Sequence, residues 1–257
     1  MADGMRGTRI KYESIVLSIP DPPGKSQRNR TMKIAVFADI HDNAAALDAV
    51  LRDAARQGAD HLVCLGDVGH DARLFDRLHE ADIACTFGNW EVSGLARMAA
   101  ARQAWVGAWP ACIRLGDAIL CHATPDMPAD AATTRAAAVR MRSGTSWTSL
   151  FPRLDSNENA VWQALAALEE TNMRVAFHGH THVQKIWSWS GAAGNTRRLA
   201  AVTLPAATLV LEPGTIDAAS RYIVGVGSIG QPQDGPTGGY ALWDRSRMTV
   251  TLRRLPV

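Results

Sequence analysis

Five polar clusters in this 257-residue chain each follow directly on a short apolar run. Asp39-Ile40-His41 follows residues 32–38, Gly66-Asp67 follows 62–65, and Gly88-Asn89 follows 83–87. His122 follows 118–121, and Gly179-His180-Thr181-His182 follows 175–177. Imidazole nitrogen, carboxylate and amide oxygen in one set suit Mn, Fe or Zn, whereas Mg and Ca prefer oxygen alone. Two such ions about 3.5–4 Å apart need a bridging carboxylate. Asp67, on its Gly-preceded turn, is the natural bridge. Two divalent cations together outweigh the charges of Asp39 and Asp67, even with a bridging hydroxide added. The remainder attracts a phosphate and acidifies a bound water into a nucleophile at neutral pH.

These clusters have to be brought together by the elements that precede them. The carboxyl ends of strands in α/β sheets are where loops converge on a crevice. The run at 32–38 reads as a buried strand. After it, Ala44, Leu47, Val50, Leu51, Ala54 and Ala55 share one helical face, closed by Gly58. Strands at 62–65 and 83–87 alternate with helices around 72–80 and 93–103. Gly116-Asp117 between 112–115 and 118–121 is a hairpin signal. Residues 130–142 and 158–171 read as helices. Strands then follow at 175–177, 185–189, 199–204, 208–211, 222–226, 240–244 and 248–252. The pattern predicts an α/β (α+β) chain: two packed mixed sheets in a β-sandwich flanked by helices. Residues 1–31, polar and broken by prolines, read as a flexible or loosely docked tail before a single domain at 32–257.

Composition excludes several classes of function. There are 27 basic and 25 acidic residues, a net charge of +2, so no polybasic field favours nucleic acid or membrane surfaces. No apolar run approaches the roughly 18 residues of a membrane span. No secretory pattern opens the chain, which points to the cytoplasm. Cys64, Cys85, Cys112 and Cys121 form no CxxC pair and read as reduced core residues. Nothing in the composition opposes a homo-oligomer.

Taken in order, FADIHDNAAALDAVL, CLGDVG, FGNWE, CHATP and FHGHTH resemble the motifs of the calcineurin-like metallophosphoesterases. VGSIGQPQDGPTGGYALWD at 226–244 is similar to the C-terminal signature of their compact bacterial and archaeal branch. The resemblance covers about residues 32–250. It implies an αββα fold in which Asp39, His41, Asp67 and His182 hold one metal. The second would be held by Asp67, Asn89, His122 and His180. It implies hydrolysis of a phosphodiester or phosphomonoester by in-line attack of a metal-bridging hydroxide, with Asp67, Asn89 and His122 at the reaction centre. The pair would be Mn²⁺ first, with Fe, Zn, Ni or Co as alternatives. The expected partner is a small phosphorylated molecule, a nucleotide among the candidates. Within the same superfamily, a phosphoprotein phosphatase, a nuclease and a non-catalytic scaffold are the alternatives.

Trp90 departs from the resemblance, because His is the common residue after Gly-Asn and assists the leaving group there. Asp42 stands where Gly or Ser is usual, and Ala123 where Gly is usual. Trp90 beside the metals would stack on an aromatic or nucleoside leaving group. His70, on the loop after Asp67, either faces the substrate or acts as an acid, or is an exposed residue at the entry to the next helix. Asn43 is placed either to touch substrate or to cap the helix at Ala44. His178, two residues before His180 on one strand, reads as a buried, hydrogen-bonded histidine, with support of the donor set from behind as the alternative. Trp105, Trp109, Trp162 and Trp243 read as core residues.

Overall fold

A computed structural model describes residues 32–191, 197–202, 208–210 and 220–256. The proposed tail at 1–31 lies outside the described residues. Twelve strands and seven α-helices occur among those described, in two six-stranded mixed sheets.

The first sheet is built on β1 (Lys33–Phe37), β2 (His61–Cys64) and β3 (Ala84–Cys85). The second begins with the hairpin β4 (Cys112–Leu115) and β5 (Ala118–Cys121), then β6 (Val175–His178), β7 (Gln184–Gly191) and β8 (Arg197–Val202). The chain returns to the first sheet for β9 (Thr208–Val210), places β10 (Arg221–Val226) in the second, and ends in the first with β11 (Gly238–Asp244) and β12 (Thr249–Leu255). Strand orders are β3-β2-β1-β11-β12-β9 and β4-β5-β6-β10-β7-β8. Strands β1, β2 and β3 run parallel, as do β5, β6 and β10. The carboxyl ends of both parallel sets therefore deliver their following loops to one edge of the sandwich.

Period-two alternation splits each strand between two cores. Ile34 and Val36 of β1 join Val63, Leu120, Phe177, Val224 and Trp243 between the sheets. Ala35 and Phe37 face the other way, toward Leu47 and Val50 of α1 (Ala44–Arg56) and Leu74, Phe75 and Leu78 of α2 (Ala72–Glu80). On the far side, Ile119, Ala176 and Ile223 meet Val161, Ala164, Leu165 and Leu168 of α7 (Glu158–Glu170). The layered order is thus helix, sheet, sheet, helix, as the alternating half and the strand-rich half of the sequence predict.

Local differences have local causes. The helix expected at 93–103 instead begins at Asn89 as α3 (Asn89–Gly94), passes through a 3-10 turn at Leu95–Arg97, and restarts as α4 (Ala100–Val106). The Glu91 carboxylate accepts the backbone N–H of Gly88, which starts the helix four residues earlier than its apolar period suggests. Within 130–142 only α5 (Thr134–Arg142) is α-helical, capped by Thr133, and a short α6 (Trp147–Leu150) follows. Trp162 is not a core residue: it is 36% exposed and donates to Glu158 one helical turn away. The four cysteines are free, three of them buried. Among the described residues no helix is long and apolar enough to cross a membrane.

Candidate metal centre

Loops from the ends of β1, β2, β5 and β6, with the start of α3, bring seven donor side chains together. Asp39, His41 and His182 form one group, and Asp67, His122 and His180 another, with the ligand atoms of each within 4.8 Å of one another. Asn89 joins the second, its Oδ1 lying 3.0 Å from His180 Nδ1 and 3.1 Å from His122 Nε2. Asp67 Oδ2 lies 3.5 Å from His122 Nε2 and 3.9 Å from His41 Nε2, so one carboxylate oxygen faces both groups.

The backbone that presents these side chains is unusual. Asp39, His41, Asp67, His180 and His182 all have positive φ, from 46° to 61°. Left-handed backbone is uncommon for residues with a Cβ, although Asp and His tolerate it better than most. Its concentration in one set of loops is strain of the kind kept at functional sites. Gly88 packs so closely on Asp67 that a Cβ there would strike its Oδ1, which also accepts the Trp90 N–H at 2.8 Å.

Three imidazoles are oriented from behind. His122 Nδ1 meets Leu65 O at 2.8 Å, His180 Nε2 meets Phe151 O at 3.0 Å, and His182 Nδ1 meets Gln231 O at 2.6 Å. A carbonyl only accepts, so the nitrogen facing it carries a proton and donates. The other nitrogen of each ring is turned inward, His122 Nε2 toward Asp67, His182 Nε2 toward Asp39 and His180 Nδ1 toward the Asn89 amide oxygen, the arrangement by which metal-binding histidines are held in one tautomer. Asp39 is fixed likewise: its Oδ2 accepts the His180 N–H at 2.9 Å, and its carbonyl accepts Ser228 Oγ at 2.8 Å. Its fully buried Oδ1 has no hydrogen bond, nor has buried His41 Nδ1. The residues therefore fit a pair of cations on three counts: donor chemistry, ring orientation and an open carboxylate oxygen.

Electrostatics agree with that fit. Burial works to raise the Asp39 carboxyl, but the neighbouring His182 and His41 imidazoles hold it well below the usual carboxylate range. Burial works to lower His122, yet Asp67, Asp39 and Glu91 push it up to about 10. Burial and then the charge of His122 push His180 down to about 4. Burial opposes but the Asp39 carboxylate still raises His182. Without a cation the carboxylates favour the protonated form of His122 and His182; a bound cation supplies the same neutralising charge.

The remaining sequence-predicted residues are distributed as follows. Trp90 meets the His41 ring edge-on, centroids 4.6 Å apart, and lies 4.7 Å from His70. Asn43 caps α1, its Oδ1 accepting the Ala46 N–H at 3.0 Å. Buried His178 faces Gly179 O at 2.9 Å, as expected of a core histidine.

Glu91 escaped the sequence reading. It is fully buried and accepts the N–H groups of Asp67, Val68 and Gly88 at 2.7–2.9 Å, tying the Asp67 turn to the start of α3. Burial and the charge of Asp67 push its carboxyl up to about 6 against those three donors. A Glu three residues after a loop glycine is a capping signal that sequence could have offered. Ser228, Gln231 and Phe151 act through backbone or hydroxyl contacts that residue type alone does not reveal.

Residues 32–248 match the family model described as the calcineurin-like phosphoesterase superfamily domain. A metallophosphoesterase from Sphaerobacter thermophilus is 21% identical with a TM-score of 0.64, the alignment covering 88% of this chain and 89% of that one. The phosphoesterase Yfce from E. coli is 19% identical, TM-score 0.40, with coverages of 83% and 89%. An archaeal phosphodiesterase is 11% identical, TM-score 0.48, with coverages of 87% and 100%. The first of these shows a shared fold. Comparison with curated protein sequences gives no match.

Proposed function

The chain belongs to the calcineurin-like phosphoesterase superfamily, and on that premise we propose that it hydrolyses phosphodiesters or phosphomonoesters of small, nucleotide-sized molecules. Asp39, His41, Asp67 and His182 would hold one divalent cation, and Asp67, Asn89, His122 and His180 the other, with Mn²⁺ the first choice. When bound, such a pair lowers the pKa of a water and neutralises charge on the phosphate. The chain's own residues do the positioning. Backbone carbonyls behind His122, His180 and His182 keep one lone pair of each ring pointed inward. Glu91 fixes the turn that sets the Asp67 carboxylate between the two groups. With Asn89 Oδ1 facing two histidines, its Nδ2 is the donor left for a phosphate oxygen.

The observation that carries this reading is the convergence of two three-residue donor groups on one carboxylate oxygen of Asp67. The test is hydrolysis of bis-p-nitrophenyl phosphate after loading with Mn²⁺, with elemental analysis of the same sample. Two ions per chain and loss of at least about tenfold in Asp67→Ala and His180→Ala are expected. Metal-free protein after loading, or variants as active as the wild type, would sink it.

A further inference from the structure

His70 sits on the loop between β2 and α2, its side chain 58% exposed. The loop is anchored across the crevice by Asp42, which follows β1. Asp42 Oδ1 accepts the backbone N–H of His70 at 2.6 Å and of Asp71 at 2.7 Å. Gly69, at φ +121°, lies so close that a Cβ there would strike the same carboxylate. The other oxygen, Oδ2, is 3.6 Å from His70 Nδ1. Asp71 is turned away toward Arg73, at 2.7 Å. On its other flank the imidazole packs on Trp90, and the same indole touches His41. Trp90 therefore spans the distance from the donor groups to His70.

A departing ester oxygen needs a proton from a group that is neither facing a cation nor tied to the backbone. Around the site, among the described residues, His41, His122, His180 and His182 belong to the donor groups. Glu91 is buried beneath three backbone N–H groups. Asp42 is fixed as an acceptor. The exposed imidazole that remains on this rim is His70.

We propose that His70 is the proton donor to the leaving group, with Asp42 orienting its ring and Trp90 forming the surface along which the leaving group lies. The assignment rests on the phosphoester-hydrolase reading above. In the step, a bond forms between the water oxygen and phosphorus as the bond from phosphorus to the leaving oxygen breaks. The electron pair stays on the leaving oxygen, which takes the proton from His70 Nε2. The imidazole becomes neutral and recovers a proton from bulk water. Asp42 Oδ2 faces Nδ1 and favours a proton there, which leaves Nε2 as the nitrogen that donates.

Two measurements test this. In metal-stripped protein, nitrogen NMR of the His70 ring is expected to show the neutral form protonated on Nδ1, and this preference is lost in Asp42→Asn. In Mn²⁺-loaded protein, His70→Gln is compared on bis-p-nitrophenyl phosphate, whose leaving group departs without a proton, and on a dialkyl phosphodiester read for alkanol release. General acid help is typically worth 10²–10⁴-fold, so a loss of about a hundredfold on alkanol release is expected, against less than about threefold on the nitrophenyl ester. Equal losses on both, no loss on either, or a neutral His70 protonated on Nε2 in the wild type would overturn the assignment. Failure of the wild type to hydrolyse the nitrophenyl ester would instead overturn the phosphoesterase reading.

Discussion

Asp53 on α1 and Asp39 at the end of β1 are both buried carboxylates whose pKa is held below the ordinary value, yet they are completed differently. Asp53 accepts Tyr240 Oη at 2.7 Å and Arg253 Nε at 2.6 Å on one oxygen, and Arg253 Nη2 at 3.1 Å on the other. Its neighbours close the cluster within the chain, fastening α1 to β11 and β12. Asp39 has one oxygen held by a backbone N–H while the other is buried without a hydrogen bond. Left-handed backbone marks its surroundings and not those of Asp53. A fully satisfied buried network adds rigidity, whereas a partly satisfied one costs stability unless a ligand completes it. The first cluster is therefore structure, and the second is structure arranged around an expected charge.

The contrast breaks most visibly under substitution with metal present. Asp67→Ala is expected to remove at least about tenfold of Mn²⁺-dependent activity. It should also abolish the rise in melting temperature that Mn²⁺ gives the wild type by mass action. Asp53→Ala should keep that rise, and calorimetry with and without Mn²⁺ separates the two. Glu91→Gln comes next. A Gln matches the carboxylate in size but replaces one acceptor with a donor, facing three backbone N–H groups. A loss of about 10–100-fold in metal affinity is expected, read by titration calorimetry.

Asp53→Ala itself sharpens the structural side. Loss of the hydrogen bonds to a charged group should lower unfolding free energy by about 2 kcal/mol, measured by urea denaturation of the metal-stripped protein. The smallest effect is in pH. Burial works to raise the Asp53 carboxyl, but hydrogen bonds from Arg253 and Tyr240 and the Arg253 charge hold it below its ordinary value near 3.8. A carboxyl depressed in the folded state stabilises fully above its unfolded value and loses that contribution as pH falls through its folded value. The stability gap between wild type and Asp53→Asn should therefore narrow below about pH 4. A gap constant from pH 6 to pH 3 would assign it to packing alone.

Much of the site was readable because each donor follows an apolar run, and a strand end needs no tertiary information to locate. Asp39, His41, Asp67, Asn89, His122, His180 and His182 were all named from position and residue type, and the structure gathers them. Residue type places Asn43 equally well against substrate or at the cap, and its hydrogen bond to Ala46 shows the cap. Glu91 is poorly legible in sequence because a carboxylate in a short helix ordinarily reads as a solvated face. Its role comes from burial and from a turn 23 residues away in sequence. Trp162 sits on the edge of an amphipathic helix, where one step around separates core from surface.

The alternation of strand and helix, the two-sheet architecture and the chemistry of the donor set follow from the order of residues alone, because side-chain period and residue type are local properties. Tertiary structure decided which nitrogen of each imidazole faces inward, because that depends on carbonyls from Leu65, Phe151 and Gln231 in separate loops. It also decided that one oxygen of Asp67 faces both donor groups and that His70 meets Asp42 and Trp90. Those relations arise only where loops far apart in the chain close on one crevice, a matter of distance and not of composition.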